Sequence, residues 1–262
     1  MARTPASFRL AASVLALGVA QPVLGQERVT SYTLYGTPGL LEMPSAVSAN
    51  DGELAATASY FGGQRRFSFT FQVTDRLSGT FRYAGIEDFT PIEGGTRSDL
   101  YFDRSFDLQY RLIDEGDYMP AVSIGLRDFL GTGTYSGEYI VATKLISESI
   151  RVTGGIGWGR LGSYNGFDNP LSILDDRLED REDVDSRGGG QITNVPFFSG
   201  DAAFFGGVEY RVNDQLWLMA EYSSDDYAPE DGAAFAAIPH CAGVQIQFNA
   251  GINSSVRPVI DQ

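Results

Sequence analysis

The residues best suited to chemistry in this chain are its single histidine, His240, and the single cysteine that follows it, Cys241. Such a pair could supply two metal ligands, or a nucleophile with its general base. Adjacent residues of a strand point to opposite faces of the sheet, however, and no third ligand or orienting group is evident. A Ser–His–Asp triad would require the same histidine. The pair is therefore a weak candidate for a metal site or a catalytic site.

The densest run of charge, Asp175 to Asp185, is a second candidate site. Its carboxylate oxygens would suit calcium, but the spacing and the central glycine of an EF-hand loop are absent. The arginines within the run would also compete for the carboxylates. The run is therefore interpreted as part of a solvated outer loop.

Two further patterns are similar to catalytic or cofactor sites. The glycines of residues 154–159 suggest a phosphate loop, but the Lys-Ser/Thr ending and the following helix are absent, and strand glycines also fit a tightly bent sheet. Asp107, Glu209 and Glu221 could supply the acid and the base of a glycosidase. That chemistry depends on the distance between the two carboxyl groups, which the sequence does not give. We expect no catalytic residue, no cofactor and no metal, and hence a protein that is not an enzyme.

The last set of candidates consists of charged residues at positions that would share one face of their strands. Mutual neutralisation inside a wet interior is one role for them, and charge matching along a glycan path is the other. The set comprises Arg82, Asp107, Arg111, Arg127, Lys144, Arg151, Glu209, Arg211 and Glu221.

Strands must position these residues, because apolar and polar residues alternate with a period of two along most of the chain. Residues 67–73 are the clearest example, and residues 106–112 and 208–212 repeat it. Weaker copies lie at 53–61, 77–85, 119–127, 138–146, 149–158, 215–223 and 242–250. Their length of about nine to eleven residues is typical of membrane-spanning strands, whereas strands of soluble domains are mostly shorter.

Connection lengths and aromatic residues favour a membrane barrel over a soluble sandwich. Short connections at 74–76, 113–118, 147–148 and 213–214 alternate with long ones near 86–100, 128–137, 159–200 and 224–241, as in outer-membrane barrels. The short turn at 62–64 is an exception. In a barrel the apolar face meets lipid, whereas in a sandwich it meets a second sheet. Aromatic residues at strand ends would lie at the membrane interfaces: Tyr60, Phe61, Tyr83, Tyr101, Phe102, Tyr139, Trp158 and Tyr222.

The first 25 residues have the three parts of a secretory signal peptide. Arg3 and Arg9 precede an apolar run from Leu10 to Ala20, and compact residues precede a predicted cleavage site after Gly25. The residue immediately after Gly25 is Gln26 and not a cysteine, so a lipid anchor at the new N-terminus is not predicted. The net charge of −15 at pH 7 argues against nucleic acid as a partner.

An unusual segment precedes the first predicted strand. Residues 35–46 read Y-G-T-P-G-L-L-E-M-P-S-A, a sequence too rich in Pro and Gly for a helix. Residues 37–40 predict a type II turn with Gly39 at positive φ. An arm folded over a sheet edge and a segment tucked into one mouth of a barrel are the two interpretations. In both, three apolar residues need cover: Leu40, Leu41 and Met43.

The same segment resembles the opening signature of the YjbH family, exopolysaccharide-associated outer-membrane β-barrel proteins of Gram-negative bacteria. The signature continues with D-G-E-L at 51–54, and the blocks at 56–83 and 208–227 resemble hairpins of that family. The resemblance implies an outer-membrane barrel that takes part in assembly or export of a polysaccharide. It implies outer-membrane lipid, polysaccharide and other export proteins as partners, and no catalytic residues. The motif residues are Tyr35, Gly36, Thr37, Pro38, Gly39, Leu40, Met43 and Pro44.

Two features depart from the pattern of that family. Some members are lipoproteins, whereas in this chain the residue immediately after the predicted cleavage site is not a cysteine. The strand pattern also fades from about Pro229, and the last three residues, 260–262, lack the terminal aromatic residue usual in outer-membrane barrels. The prediction therefore leaves open whether the barrel closes at its C-terminal end.

Together, these patterns predict an all-β protein, an antiparallel up-and-down transmembrane β-barrel of about 10–12 strands. We expect a signal peptide at 1–25, an N-terminal turn or plug segment at 26–52, and a barrel domain at 53–262 with a long acidic loop at about 159–200. The predicted location is the cell outer membrane, and the predicted function is non-catalytic exopolysaccharide or capsule assembly or export. The alternatives are a general porin-like channel and a secreted soluble β-sandwich that binds carbohydrate.

Overall fold

The computed structural model describes residues 30–61, 63–89, 98–181, 191–192, 196–213, 216–227 and 243–248. Their strands form one eleven-stranded sheet. The strands are β1 (Leu54–Phe61), β2 (Gln64–Gln72), β3 (Leu77–Phe89), β4 (Ser98–Ile113), β5 (Ala121–Gly131), β6 (Gly137–Ser147), β7 (Ile150–Gly159), β8 (Gln191–Ile192), β9 (Ala202–Arg211), β10 (Leu216–Tyr222) and β11 (Gly243–Phe248). Short 3-10 helices lie at Arg160–Gly162, Pro170–Ile173 and Asp176–Leu178. In the described ranges, no helix has the length and apolar character needed to cross a membrane.

The order of the strands in the sheet follows their order in the chain. The path runs from β1 to β7 and then through β9, β10 and β11, while the two-residue β8 pairs with β5. All ladders are antiparallel. The prediction of an all-β, antiparallel, up-and-down sheet is confirmed, and each strand predicted from alternation overlaps an observed one. Within the described ranges, β1 and β11 are the two ends of the path and do not pair with each other.

Strand β2 illustrates which face of the sheet is buried. The buried residues of this strand are all polar: Arg66 is 1 % exposed, whereas Phe67 and Phe69 are 57 % and 54 % exposed. The aromatic row continues across the sheet, because Phe69 pairs with Phe81, and Phe81 with Phe106. This polarity is the reverse of that in a soluble sheet, whose apolar face is covered. Further exposed apolar residues are Phe71, Phe102, Tyr110, Ile140, Val152, Phe204, Val208 and Tyr210.

The soluble sandwich alternative requires two sheets whose apolar faces meet in a dry core. The described strands instead form one sheet, and many of its large apolar side chains lie on the exposed face. The described part of the chain is therefore not a sandwich.

The long connection after β7 folds back over the sheet. Trp158 Nε1 donates a hydrogen bond to Asn169 Oδ1 at 2.9 Å, and its ring packs edge-on against Phe198 with centroids 5.2 Å apart. Trp158 was predicted at a lipid interface, and this prediction is wrong because the connection buries it. The exposed Asp175 and Asp176 of the same connection fit the predicted solvated loop, whose residues 182–190 lie outside the described ranges.

Tyr139, also predicted at a lipid interface, lies on the inner face instead. It is 2 % exposed, and its hydroxyl donates to Gln109 Oε1 at 3.1 Å. The ring fits there because its neighbour on β5 is Gly125, where a Cβ would lie 2.2 Å from the Tyr139 ring. The glycine opposite Tyr139 on β5 thus leaves room for its ring on the inner face. The alternation of residues along β6 gives no sign of this neighbour.

Candidate functional site

The polar face of the sheet contacts the segment that precedes β1, residues 30–50, here called the N-terminal segment. The segment folds back on itself through a bridge between Tyr32 and Pro38 and a hydrogen bond of 2.7 Å from Leu34 N to Leu41 O. Tyr35 within it is fully buried. A piece of chain without a strand or helix of its own therefore lies against the inner face.

The predicted type II turn at residues 37–40 is wrong. Gly39 does not have positive φ, whereas Gly36 has φ 89°. The reason is contact with β2, since a Cβ on Gly36 would lie 2.3 Å from Ser68 Cβ. Ser68 Oγ donates to Tyr35 O at 2.9 Å, and Thr70 Oγ1 donates to Gly36 O at 2.6 Å. Contact with the sheet, rather than the local Pro-Gly preference, decides which glycine turns the chain.

Glu221 on β10 binds three consecutive backbone N–H groups of the N-terminal segment. One oxygen of its carboxylate, Oε2, accepts hydrogen bonds from the backbone N–H groups of Leu41 at 2.9 Å, Glu42 at 3.0 Å and Met43 at 2.9 Å. Glu221 is 5 % exposed. A buried carboxylate needs such donors, because hydrogen bonds replace the water that it has lost.

Strands in the middle of the sheet hold the same segment. Gln109 Nε2 of β4 donates to Ser45 O at 2.8 Å, and Ala46 N donates to Thr143 Oγ1 of β6 at 2.9 Å. Together with β2 and β10, these contacts require the sheet to curve around the segment.

Apolar contacts also anchor the segment. Met43 is fully buried in a small cluster on the inner side, and Leu40 is 1 % exposed. Leu40 reaches the wall at Gly207, where a Cβ would lie 2.7 Å from its Cδ1. The other members of the Met43 cluster are Ala46, Ala121, Tyr139, Val141, Leu161 and Phe205.

Arginines and tyrosines meet where the segment is deepest. The guanidinium carbons of Arg66, Arg127 and Arg82 lie 4.1, 4.4 and 5.0 Å from the centre of the Tyr35 ring. The Tyr35 ring packs edge-on against Tyr135, with centroids 5.3 Å apart. Such cation–π contacts strengthen when water is excluded. We call these groups, with Arg160 over the Tyr135 ring at 5.0 Å, the Arg–Tyr cluster.

The nine charged residues predicted to line an interior fall into two groups. Arg111 and Lys144 lie at the rim of the short turns, where they pair with Asp114 and Glu115, and Arg211 lies half-buried beside Trp217. They do not reach the interior, because they stand at strand ends. The other six are buried on the inner face: Arg82, Asp107, Arg127, Arg151, Glu209 and Glu221.

Two ion pairs account for four of those six. Arg82 Nη1 lies 2.9 Å from Asp107 Oδ2, and Arg151 Nη1 lies 3.2 Å from Glu209 Oε2. Glu209 also accepts a hydrogen bond of 2.9 Å from Ser31 Oγ of the N-terminal segment. In these contacts the four residues neutralise each other's charge, and Glu209 also holds the N-terminal segment.

Other interior residues were missed by sequence reasoning. Arg66 stands two positions before Ser68 in the same alternation, so the period of β2 would have assigned it. Asp128 could not be assigned in this way, because it follows the buried Arg127 directly and both point inward. The β4–β5 ladder shifts register at this place, and Asp128 has φ 48°. Also missed were Glu42, Gln64, Asp103, Tyr135, Arg160 and Asp225.

Glu42 connects the segment to the chain after β10. Its carboxylate lies 3.5 Å from Arg66 Nη1 and accepts a hydrogen bond from the Tyr227 hydroxyl. Burial, and then the Glu42 carboxylate, raise the pKa of Tyr227 above its ordinary value. The phenol therefore keeps its proton and remains a donor to Glu42.

The carboxylates that could have formed a glycosidase pair have structural partners. Asp107 holds Arg82, Glu209 holds Arg151, and Glu221 holds three backbone N–H groups. Within the described ranges, no group of three or more His, Cys, Asp or Glu residues is arranged to hold a metal ion. His240 and Cys241 lie outside those ranges.

The described residues define a class: an all-β protein whose described strands form one antiparallel sheet, with an exposed apolar face and a buried polar face that lies against the N-terminal segment. Comparison with known proteins gives the family. The family model of YjbH, described as "Exopolysaccharide biosynthesis protein YbjH", matches residues 31–262. The chain belongs to the YjbH family, which confirms the resemblance seen in the opening motif.

One curated relative is "Uncharacterized lipoprotein YjbH" of Escherichia coli (strain K12). The chain is 34% identical to it over 222 residues, which cover 82% of this chain and 32% of that protein. The chain therefore spans about a third of the length of this relative.

Proposed function

We propose that this chain forms the wall of a transmembrane β-barrel in the outer membrane, where it takes part in the assembly or export of an extracellular polysaccharide. The polarity of the sheet is the observation that carries this proposal. Buried charges such as Arg82 and Glu209 line one face, and exposed rings such as Phe67 and Phe204 line the other. Lipid outside and a polar interior suit this arrangement.

The apolar face would be costly in water. Phe67, Phe69 and Phe71 expose 57 %, 54 % and 45 % of their surface on β2 alone. The rings of Phe81 and Phe106, 5.0 Å apart, extend the patch over β3 and β4. Continuous apolar patches of this kind are rare on soluble monomers and indicate a partner or a membrane. Membrane lipid is the partner that would cover several adjacent strands equally.

The polysaccharide role rests on the family rather than on a site. The family is described by exopolysaccharide biosynthesis, and the relative from Escherichia coli is named a lipoprotein. That name supports an exported, membrane-associated protein, as does the signal-peptide pattern at residues 1–25.

In this proposal the N-terminal segment acts as a plug and the protein is not an enzyme. The segment lies against the inner face, held by Glu221, Gln109 and Thr143. A filled interior favours a dedicated assembly or export component over a general porin-like channel, which needs an open lumen.

Location can be tested together with the polarity of the sheet. We expect the protein in outer-membrane fractions, with a folded form that migrates differently on a gel before and after heating. Phe69→Arg should reduce folding into lipid vesicles, because Arg on the lipid face costs about 2–4 kcal/mol near the bilayer centre. The matched control is Tyr118→Arg in a turn, where the side chain is 95% exposed. Recovery in the soluble periplasm, or equal folding of both variants, would contradict the barrel.

Function can be tested by deleting the gene and measuring secreted polysaccharide. We expect a loss of polysaccharide that the wild-type gene restores. A strain with normal polysaccharide but altered uptake of small solutes would point to a general channel and would exclude the proposed role.

A further inference from the structure

The Arg–Tyr cluster contains a buried positive charge that the described chain leaves without an ion pair. Arg127 is 1 % exposed, and within the described ranges its only hydrogen bond runs from Nη2 to the backbone oxygen of Glu42, at 2.7 Å. Its Nε and Nη1 atoms are buried and have no acceptor among the described residues. Burying an uncompensated guanidinium is strongly unfavourable, so a compensating group is required.

The neighbouring carboxylates form no hydrogen bond with Arg127 in the described ranges. Arg82 shares the Tyr35 ring with Arg127 and is paired with Asp107. Asp128, the next residue along β5, directs its Oδ2 to the backbone N–H of Tyr135 at 2.9 Å. Asp128 Oδ1 and Glu42 Oε1 are themselves buried without a hydrogen-bond partner in the described ranges, but neither forms an ion pair with Arg127 there.

Other buried donors belong to the same cluster of side chains. Arg82 Nε and Gln64 Nε2 have no acceptor within the described ranges. Gln64 belongs to this place, because its Oε1 accepts from Arg66 Nη2 and from the Tyr135 hydroxyl. Guanidinium and amide N–H groups gathered in one buried cluster suit an oxyanion, since the planar fork of arginine matches two oxygens of one group.

We propose that the Arg–Tyr cluster binds a small oxyanion at Arg127, beneath the N-terminal segment. The chemistry fits a phosphate or a carboxylate, which could be a free ion or the acid group of a sugar. The site depends only on the buried groups just described and not on a role in polysaccharide export. Because Arg127 also binds Glu42 O and the Tyr35 ring, the bound anion would fix the segment to β5.

The test uses the full chain refolded in detergent with inorganic phosphate, glucuronate or chloride at equal ionic strength. Phosphate is present during refolding, because a group this deeply buried is reached only when the segment opens. We expect phosphate to raise the midpoint of thermal unfolding in a saturable manner, beyond the effect of chloride, since a ligand specific for the folded state stabilises it. An equal effect of glucuronate would assign the site to sugar acids as well, whereas an effect of phosphate alone would assign it to a free ion.

Substitutions assign the effect to Arg127. Arg127→Met should abolish the phosphate response, and Arg127→Lys should weaken the affinity about tenfold, because the charge remains but the fork is lost. The matched control is Arg151→Met, which breaks the pair with Glu209 and should lower stability but keep the response. The proposal would be overturned by a wild type that responds to neither anion, or by an Arg127→Met response equal to that of wild type. Should the variants fail to fold, equilibrium dialysis of the wild type with labelled phosphate decides, and no bound phosphate overturns the proposal.

Discussion

Removal of the Glu221 carboxylate should release the N-terminal segment from the wall of the sheet. The carboxylate is the shared acceptor for three consecutive backbone N–H groups, of Leu41, Glu42 and Met43. In Glu221→Ala all three lose their acceptor. We expect a loss of stability and exposure of residues that are now buried, of which Tyr35 is the most useful reporter.

The size of the effect follows from the contacts. A buried donor without an acceptor costs about 1–3 kcal/mol. Water that enters the space of the lost side chain can accept from these donors, so we take the lower end of that range for each of them. Three such donors therefore predict a loss of about 3 kcal/mol in the free energy of unfolding. Glu221→Gln keeps one acceptor oxygen but not the charge, so we expect a smaller loss, of about 1 kcal/mol.

The assay combines urea unfolding in detergent with limited proteolysis by chymotrypsin. Residues 30–50 contain no Lys or Arg, so an enzyme that cleaves after aromatic residues is needed. Cleavage after Tyr35 should be slow in the wild type, where this residue is fully buried, and fast in Glu221→Ala. Cleavage after Tyr118, which is 95% exposed, serves as an internal reference that should not change.

Glu87→Ala is the matched control for Glu221→Ala. Glu87 pairs with Arg65 at the surface, where both side chains are partly exposed, and such pairs contribute about 0–1 kcal/mol. If Glu221→Ala lost no more stability than Glu87→Ala and Tyr35 stayed protected, the carboxylate would not hold the segment, and the reasoning would be refuted.

Two further substitutions test the fit of the segment. Gly36→Ala should destabilise by about 1–3 kcal/mol through backbone strain, because φ is 89°. Overlap of the new Cβ with Ser68 should add to this loss. Urea unfolding compares it with Gly52→Ala, where φ is 74° but the space around the glycine is open. Equal losses would mean that Gly36 is not tightly packed. Met43→Ala should cost about 2–5 kcal/mol by leaving a cavity, whereas Met119→Ala, at 55% exposure, should cost much less. Thermal unfolding of the pair measures the difference, and similar midpoints would contradict the buried position of Met43.

Much of the architecture was predictable, because alternation is a local signal. Residues 67–73 alternate so strictly that a strand and its two faces can be assigned without any tertiary information, and β2 covers most of that range. Adjacent strands in the chain are also adjacent in the sheet, except for the two-residue β8. Arg82 and Asp107 were likewise predicted on one face, and they form a buried pair.

The errors arose where distant parts of the chain meet. Gly39 was predicted to take positive φ on local grounds, but Gly36 does so because β2 presses against it. Trp158 has the position of an interface residue in the sequence, yet the connection that contains Asn169 covers it. Asp128 escaped notice because a shifted register breaks the two-residue period at that point.

The sequence by itself determined that this chain forms antiparallel strands with a polar face and an apolar face, and its opening motif indicated the family. Only the tertiary structure decided that the polar face is the buried one in the described residues, and that the N-terminal segment lies against it. The physical reason is that a period of two assigns residues to faces but does not say what each face contacts. The backbone N–H groups that bind Glu221 lie about 180 residues away in the sequence, and only the curvature of the sheet brings them to its carboxylate.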